Sequence, residues 1–233
     1  MSGSPRCYAV VPCAGVGQRA GTGGPKQYAP LAGSPVVQHT LEALHAVKRI
    51  KRTLVVLAPD DTLFEQHVEG FTGWVARSGG ATRAETVNAG LRALRQRGAS
   101  DGDWVLVHDA ARCMVRPELI DRLIDACLAD EVGGLLALPL ADTLKQADGV
   151  NGSVRVAQTL DRSGKWLAQT PQMFRLGTLQ VALAAAGDEV TDEASAIEFL
   201  GHSPLLVQGE VENFKLTYPA DFALARRLLE SRG

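Results

Sequence analysis

Short apolar runs alternate along the chain with segments in which apolar residues recur at helical spacing. Val87, Leu91 and Leu94 fall on one face of a helix, and a second stripe over 119–127 is entered through Pro117. This alternation is typical of a layered α/β fold built on a mainly parallel sheet. The predicted strands are 8–12, 53–57, 74–76, 104–107, 134–138 and 205–207, and further helices are expected near 175–186, near 191–200 and from Pro219 onward.

The segment 142–161 departs from this rhythm, because it is rich in polar residues and weak in helical periodicity. It contains the dipeptides Asp148-Gly149 and Asn151-Gly152, which favour the left-handed backbone of tight hairpins. We therefore predict a projecting β-arm that is ready to pair with a second subunit. The pattern fits a plain surface hairpin equally well. No repeat or linker interrupts the chain, so a single domain over 1–233 is expected.

Composition narrows the class of protein. Of the 233 residues 45% are apolar and 21% are charged, so the chain can bury a full core and is not intrinsically disordered. Its formal net charge of -2 argues against a general nucleic-acid or anionic-membrane binder. No apolar stretch approaches the roughly 18 residues that a membrane span needs, and the cysteines form no CxxC pair. We therefore expect a cytoplasmic protein without nucleic-acid or membrane partners.

A glycine-containing loop follows the first predicted strand, where backbone N–H groups can approach a phosphate. It does not complete a dinucleotide fingerprint, because Pro25 interrupts the helix that should follow. It is not a Walker loop either, since Lys26 is followed by Gln27 rather than by Ser or Thr. Two cations, Arg19 and Lys26, remain, and they suit a reaction in which negative charge builds on phosphorus. The alternative is that both are solvated surface side chains.

Two further loops with small and polar residues follow predicted strands. Residues 79–83 follow the strand at 74–76, with Thr86 on the first turn of the next helix, and residues 108–112 follow the next strand. In open α/β sheets ligands bind outside the carboxyl ends of the strands, so the three loops are expected to form one nucleotide pocket. Asp109 could bind a sugar hydroxyl or reach a metal there, or it could serve only as a loop cap.

Several short blocks occur in order over residues 8–222, and together they are far more specific than any one of them. The blocks are Pro12-Cys13-Ala14-Gly15-Val16-Gly17-Gln18-Arg19, Pro25-Lys26-Gln27-Tyr28, Gly79-Gly80-x-x-Arg83, Val107-His108-Asp109-Ala110-Ala111-Arg112, Asp142-Thr143-x-Lys145, Asp161-Arg162, Gln169-Thr170-Pro171-Gln172, Thr191-Asp192-Glu193 and Asn213-x-Lys215-x-Thr217. The ordered set closely resembles the 2-C-methyl-D-erythritol 4-phosphate cytidylyltransferases.

This resemblance implies a Rossmann-like nucleotidyltransferase fold, with a mainly parallel mixed sheet between helices and a protruding β-arm. It implies a homodimer joined by the arm at 142–161. It also implies an enzyme of isoprene biosynthesis that moves CMP from CTP to 2-C-methyl-D-erythritol 4-phosphate, with Mg²⁺, and releases pyrophosphate.

The resemblance also implies roles for individual residues. Arg19 and Lys26 would stabilise the transition state. Lys215 and Arg162 would position the substrate phosphate, with Arg162 reaching in from the arm of the partner subunit. The cytidine and phosphate site would be lined by Cys13, Ala14, Gly15, Gly17, Gly80, Arg83 and Thr86. The erythritol phosphate or nearby groups would be contacted by Asp109, Arg112, Thr143, Thr170 and Thr191. The ligands of the metal stay unassigned.

Four positions depart from the family pattern. Cys13 stands where alanine is usual, and Ala20 stands where methionine is usual. Thr86 replaces serine but keeps the hydroxyl group. Cys113 replaces the proline that normally follows the block at 108–112, a change that could loosen the loop holding Asp109. None of these changes removes a cation that the chemistry requires.

Two alternative functions remain open on the same fold. One is an alditol-phosphate cytidylyltransferase, such as a ribitol 5-phosphate enzyme, although Asp161-Arg162 and Thr191-Asp192-Glu193-Ala194 look more like the methylerythritol branch. The other is a non-catalytic nucleotide-binding protein. The intact Arg19, Lys26 and Lys215 argue against the second, because a silent descendant need not keep all three.

Overall fold

The computed structural model describes residues 5–15, 17, 21, 23–148, 154–187 and 190–232. The strands in these ranges are β1 (Cys7–Pro12), β2 (Pro30–Leu31), β3 (Ser34–Pro35), β4 (Ile50–Leu57), β5 (Trp74–Arg77), β6 (Trp104–Val107), β7 (Gly133–Pro139), β8 (Leu144–Asp148), β9 (Arg155–Leu160), β10 (Trp166–Arg175) and β11 (Leu205–Gln208). The helices are α1 (Val36–Ala46), α2 (Phe64–His67), α3 (Arg83–Gln96), α4 (Pro117–Leu128), α5 (Leu176–Ala186), α6 (Glu193–Phe199) and α7 (Pro219–Arg232), with a short 3-10 helix over Lys26–Tyr28.

A seven-stranded sheet forms the middle layer, in the order β11-β7-β10-β6-β1-β4-β5. Strand β10 runs antiparallel to both of its neighbours, and all the remaining adjacent pairs are parallel. The predicted mainly parallel sheet is therefore confirmed. Strand β1 lies between β4 and β6, so the loop that leaves it at Pro12 starts near the ends of both neighbours.

Helices cover both faces of the sheet, as the near-continuous apolar strands require. Along β1, Ala9 and Val11 join the core under α1 and α4, whereas Tyr8 and Val10 join the core under α3, α5 and α6. The two predicted amphipathic stripes are confirmed as α3 and α4, and Pro117 is the first residue of α4. Within the described ranges no helix is long and apolar enough to cross a membrane.

Strand β10 is an interior strand of the sheet, although its sequence predicts no strand. Its middle carries Gln169, Thr170, Pro171 and Gln172, and a proline inside a run argues against a central strand. The pairing with β7 shifts between Ala168 and Gln172, so the strand is irregular where the proline lies. The polar side chains are buried because other parts of the chain supply their hydrogen-bond partners.

Segment 142–161 contains the predicted β-arm. Strands β8 and β9 pair antiparallel in a sheet of their own, and their side chains are almost all exposed. The turn at 149–153, including the Asn151-Gly152 dipeptide, lies outside the described residues. Pairing of the arm with a second subunit stays a prediction.

Candidate active site

A cleft of about 230 Å³ opens at the carboxyl ends of the parallel strands. Its walls come from the loops after β1, β5 and β6, together with the 3-10 helix and the segment before α7. The structure thus brings the three predicted loops together at one edge of the sheet. The predicted site residues that line it are Cys13, Ala14, Gly15, Gly17, Lys26, Gly80, Arg83, Thr86, Asp109 and Lys215.

The loop after β1 is held close to the sheet by its backbone. The N–H of Cys13 donates to the carbonyl of Val56 at 2.8 Å, and buried Gln27 donates from Nε2 to the carbonyl of Cys13 at 3.1 Å. Burial raises the pKa of the Cys13 thiol well above its usual range, so this group stays protonated and is not a nucleophile. The predicted Arg19 lies outside the described residues.

Lys26 closes one side of the cleft. Its Nζ donates to the carbonyl oxygen of Leu216 at 2.8 Å. Its stem packs over Gly17, where a Cβ atom would lie 2.5 Å from Lys26 Cγ and where φ is +61°, so only glycine fits. The hydroxyl of Tyr28 donates to Asp61 Oδ2 at 2.7 Å and anchors the 3-10 helix that carries Lys26.

The loop after β5 reaches the first loop because Gly79 allows a close approach. A Cβ atom at Gly79 would lie 2.4 Å from the Cβ of Ala14. The N–H of Gly80 donates to Thr86 Oγ1 at 3.1 Å, and this hydroxyl donates to the carbonyl of Thr82 at 2.9 Å. Since any hydroxyl at this position can make both bonds, the exchange of serine for Thr86 keeps the loop intact.

An ion-pair cluster of five residues borders the cleft. Asp109 Oδ1 accepts from Arg83 Nε at 2.8 Å, and Asp109 Oδ2 pairs with Lys215 Nζ at 2.9 Å. Arg112 Nε lies 3.8 Å from the same Oδ2 atom. The carboxylate of Glu193 accepts hydrogen bonds from both terminal nitrogens of Arg83, at 2.7 and 3.0 Å. Together with Lys26, the cluster sets four cations against two carboxylates in a chain whose net charge is -2.

The cluster shifts the acidity of its members. Burial alone would raise the pKa of Asp109, but the charges of Arg83 and Lys215 hold it well below its usual range. Burial alone would lower the pKa of Arg83, but Glu193 and Asp109 raise it above its usual value. Both groups are therefore fully ionised at neutral pH, and the field in the cleft is fixed.

His108 ties the loop after β6 to β10. Burial lowers its pKa to about 4, so the ring is neutral at pH 7. Nε2 lies 3.1 Å from the carbonyl oxygen of Arg112, which only accepts, so Nε2 carries the proton. Nδ1 lies 3.0 Å from Thr170 Oγ1 and accepts a hydrogen bond from this hydroxyl group. The same hydroxyl oxygen accepts the N–H of Asp109 at 3.0 Å, so the ring and the hydroxyl fix the backbone of Asp109.

The other predicted site residues lie outside the wall of the cleft. Thr170 is buried, with its hydroxyl bonded within the protein, and Arg112 donates to the carbonyls of Asn213 and Ala168. Thr191 lines an adjoining pocket of about 340 Å³ that shares Arg83 with the cleft. Exposed Thr143 and Arg162 flank the strands of the arm. A separate cleft of about 190 Å³ between α1 and β4 contains none of the predicted site residues.

Sequence reasoning missed several residues that hold the site together. Glu193, Gln172 and Asn213 are buried polar residues that stand inside the quoted blocks, but none was given a role. Their burial is visible only once partners from distant segments are known. Thr82 caps α3 in a reciprocal capping box with Glu85, and the Thr-x-x-Glu spacing is a sequence signal that could have found it.

The donor set of the cleft bears on Mg²⁺. Across the described ranges no group of three or more His, Cys, Asp and Glu side chains could hold a metal ion. Among the described residues that line the cleft, Asp109 is the only carboxylate. This set fits an ion held mainly by substrate phosphates and water, which is how Mg²⁺ is commonly bound, and it does not fit an all-protein cage.

A doubly covered, mostly parallel sheet with a cationic, glycine-lined cleft at its carboxyl edge defines the class: this is a Rossmann-like nucleotidyltransferase. The family model described as "IspD: 2-C-methyl-D-erythritol 4-phosphate cytidylyltransferase" matches residues 7–231. The chain belongs to this family.

Individual relatives agree with the family match. The 2-C-methyl-D-erythritol 4-phosphate cytidylyltransferase of Paraburkholderia phytofirmans is 52% identical over 96% of each chain. The bifunctional enzyme IspD/IspF of Albidiferax ferrireducens is 60% identical over 98% of this chain, which spans 54% of that relative's length. A crystal structure of the Thermus thermophilus cytidylyltransferase has a TM-score of 0.79 and 31% identity, and it covers 97% of this chain and 99% of that one.

Proposed function

We propose that the chain moves CMP from CTP to 2-C-methyl-D-erythritol 4-phosphate, forming 4-diphosphocytidyl-2-C-methyl-D-erythritol and pyrophosphate. The observation that carries this proposal is the cleft itself, in which Lys26, Arg83 and Lys215 stand beside glycine loops at the sheet edge. Backbone N–H groups and fixed cations at that edge suit a triphosphate.

The chemistry requires charge control rather than a strong base. The attacking group is already a phosphate anion, and the difficulty is to bring it in line against a second polyanion. Lys26 and Lys215 would offset that repulsion, and Arg19 is proposed to join them. Asp109 holds Lys215 and Arg83 at fixed distances, so these cations do not have to reorganise when charge develops.

Mg²⁺ is proposed to accompany CTP. Asp109 would be its protein-side partner, since it is the one carboxylate on the described wall of the cleft. When bound, the ion would neutralise charge on the phosphate oxygens. The protein's own share of the work is to hold Asp109 ionised between Arg83 and Lys215.

The acceptor phosphate would be bound by Lys215 together with Arg162 of the partner subunit. Two observations support this homodimer. Arg162 is exposed at the end of the arm, and none of the described residues pairs with its side chain. A two-stranded hairpin is only marginally stable alone, and the arm leaves Val154 and Val156 79% and 63% exposed.

The cytoplasm is the proposed location, since all four cysteines are buried and unpaired.

The test is release of pyrophosphate by the purified protein. Turnover is expected with CTP and 2-C-methyl-D-erythritol 4-phosphate, and much less with ribitol 5-phosphate or with other nucleoside triphosphates. Turnover only with ribitol 5-phosphate would move the assignment to the alditol-phosphate branch. Binding of CTP without pyrophosphate release under any condition would indicate a non-catalytic nucleotide-binding protein.

A variant tests the role of the cleft cation in the same assay. Lys26→Ala should fold normally but lose kcat by about 100-fold or more, because a fixed donor to the transition state is removed. Lys48→Ala is the control, since this exposed lysine follows α1 outside the cleft, and it should turn over like the wild type. Near-wild-type turnover by folded Lys26→Ala would overturn this role.

A further inference from the structure

Glu193 is a buried acid, and both oxygens of its carboxylate bond to one arginine. Its side chain is 1% exposed, and its two oxygens accept from Nη1 and Nη2 of Arg83 at 2.7 and 3.0 Å. Within the part of the chain that the structure describes, Glu193 makes no other side-chain bond. Its place at the first position of a helix predicts no more than a favourable charge there. The structure shows instead that Glu193 and Arg83 form a bidentate, charge-assisted ion pair.

The backbone around Glu193 is clamped by a second buried side chain. Gln172 of β10 accepts the N–H of Ala194 at 2.7 Å and donates from Nε2 to Asp192 Oδ2 at 2.9 Å. The residues on either side of Glu193 are thus bonded to one glutamine that is 1% exposed. Since β10 is an interior strand of the seven-stranded sheet, Glu193 is tied to the middle layer of the molecule.

Arg83 transmits this position to the cleft. Three of the five N–H groups of its guanidinium are occupied, two by Glu193 and one by Asp109. Bonds on two edges of a planar group fix both its place and its plane. Arg83 is 27% exposed and lines the cleft, whereas Glu193 is 1% exposed and lines the adjoining pocket rather than the cleft. Glu193 therefore acts on a ligand in the cleft only through Arg83.

We propose that Glu193 is a positioning residue for the nucleotide: it orients Arg83, and through Arg83 the carboxylate of Asp109, before CTP enters. The inference rests on the proposed cytidylyl transfer and adds a residue to it. Without the carboxylate at 193, the fork of Arg83 is held by Asp109 alone, and Asp109 also has to hold Lys215. The nucleotide would then meet an arginine that must be ordered at the moment of binding.

The experiment uses Glu193→Gln, which keeps the shape of the side chain and removes its charge. Loss of a charge-assisted pair is expected to raise the KM and the Kd for CTP about tenfold, with kcat reduced less than threefold. Glu198→Gln is the matched control, because it makes the same change at an exposed position on the same helix. It should leave both constants unchanged. Thermal unfolding and circular dichroism verify that each variant is folded.

A double-variant cycle tests whether the effect passes through Arg83. Arg83→Lys keeps a positive charge beside Glu193, but it lacks the planar fork, so the two-point contact that fixes the plane of the side chain is lost. It should show the same rise in the KM for CTP. Adding Glu193→Gln to it should raise the KM less than twofold further, because the two changes remove one interaction. Should Glu193→Gln not fold, Glu193→Asp carries the test, because the shorter carboxylate keeps its charge but cannot hold both terminal nitrogens of Arg83 in place, and the KM for CTP should still rise.

The outcomes separate this inference from the proposed function. A folded Glu193→Gln variant with wild-type constants for CTP, or additive losses in the double variant, overturns the role of Glu193. Absence of pyrophosphate release by the wild type overturns the proposed function alone, because the Kd for CTP still reports on Glu193. A wild type that does not bind CTP overturns both.

Discussion

His108 illustrates how one buried side chain can organise a loop without touching the cleft. Its ring is 0% exposed, does not line the cleft and bonds Thr170 and the carbonyl of Arg112. The arrangement requires the neutral ring, because a second ring proton would leave the Thr170 hydroxyl without its acceptor. The position of Asp109 therefore depends on a histidine that has no charge of its own.

This histidine predicts how the stability of the fold depends on pH. Its pKa is about 4 in the folded chain against 6.5 when unperturbed, so between these values the unfolded chain binds more protons. The free energy of unfolding should therefore fall as the pH drops through this window, by up to about 3 kcal/mol. Urea denaturation at several pH values between about 4.5 and 7.5 measures the slope.

A variant assigns that slope to one residue. His108→Gln keeps a donor for the carbonyl of Arg112 but cannot titrate, so it should be less stable at neutral pH and show a flatter profile. His202→Gln serves as the control, because this histidine is exposed and lies outside the loop, and it should keep the wild-type slope. An unchanged slope in folded His108→Gln would show that the effect arises elsewhere.

Single residues of the site differ in how readily the sequence reveals them. Gly80 lies in the loop after β5, and Lys26 lies in the 3-10 helix between β1 and β2, so the general rule for α/β sheets is enough to place them near the cleft. Glu193 follows the aspartate that caps a helix, where an acid is ordinary and needs no further explanation. Only its burial against Arg83, 110 residues away in the chain, shows that it belongs to the site.

Among the elements, α3 matters most because it carries both structural and functional residues. It begins with the capping box of Thr82 and Glu85, and its first turn presents Arg83 and Thr86 to the cleft. Further along, Gly90 lets the helix pack directly on β1 and β4. The helix can approach the sheet closely only because this position lacks a side chain.

Gly90→Ala tests this packing. The new Cβ atom would lie 2.8 Å from Val10 and 2.9 Å from Val56, and both valines are fully buried. We expect the variant to be destabilised by about 1–3 kcal/mol, although alanine is the better helix former by about 1 kcal/mol. Chemical denaturation measures the change. Gly102→Ala, at an exposed glycine with open space around it, should be near neutral, and a stabilised Gly90→Ala would contradict the packing argument.

At the scale of the whole molecule, the arm is notable for its exposed apolar side chains, whose exposure a single subunit does not explain. Strands β8 and β9 form a sheet separate from the main one, and Val154 and Val156 on this arm are 79% and 63% exposed. The proposed homodimer would bury them and bring Arg162 of the partner subunit to the acceptor phosphate. Assembly and activity would then depend on the same segment.

Val156→Asp tests both at once. Light scattering should show a dimer for the wild type and a monomer for the variant, because a charge would be buried in the interface. Turnover should fall as well, since Arg162 of the partner subunit would be lost. Val181→Asp makes the same change at a valine of similar exposure, 60% against 63%, on α5, and it should stay dimeric and active. A monomeric, fully active wild type would refute the proposed role of the arm.

The sequence by itself determined the α/β layers, most of their strands and helices, the hairpin of the arm and the three loops of the cleft, but it predicted neither α1 nor β10. The predicted features follow from apolar periodicity and glycine spacing, which are local properties of the chain. Only the tertiary structure decided that β10 enters the interior of the sheet and that Glu193 and Asp109 share Arg83. A polar side chain is buried only where its partners are, and here those partners come from distant segments.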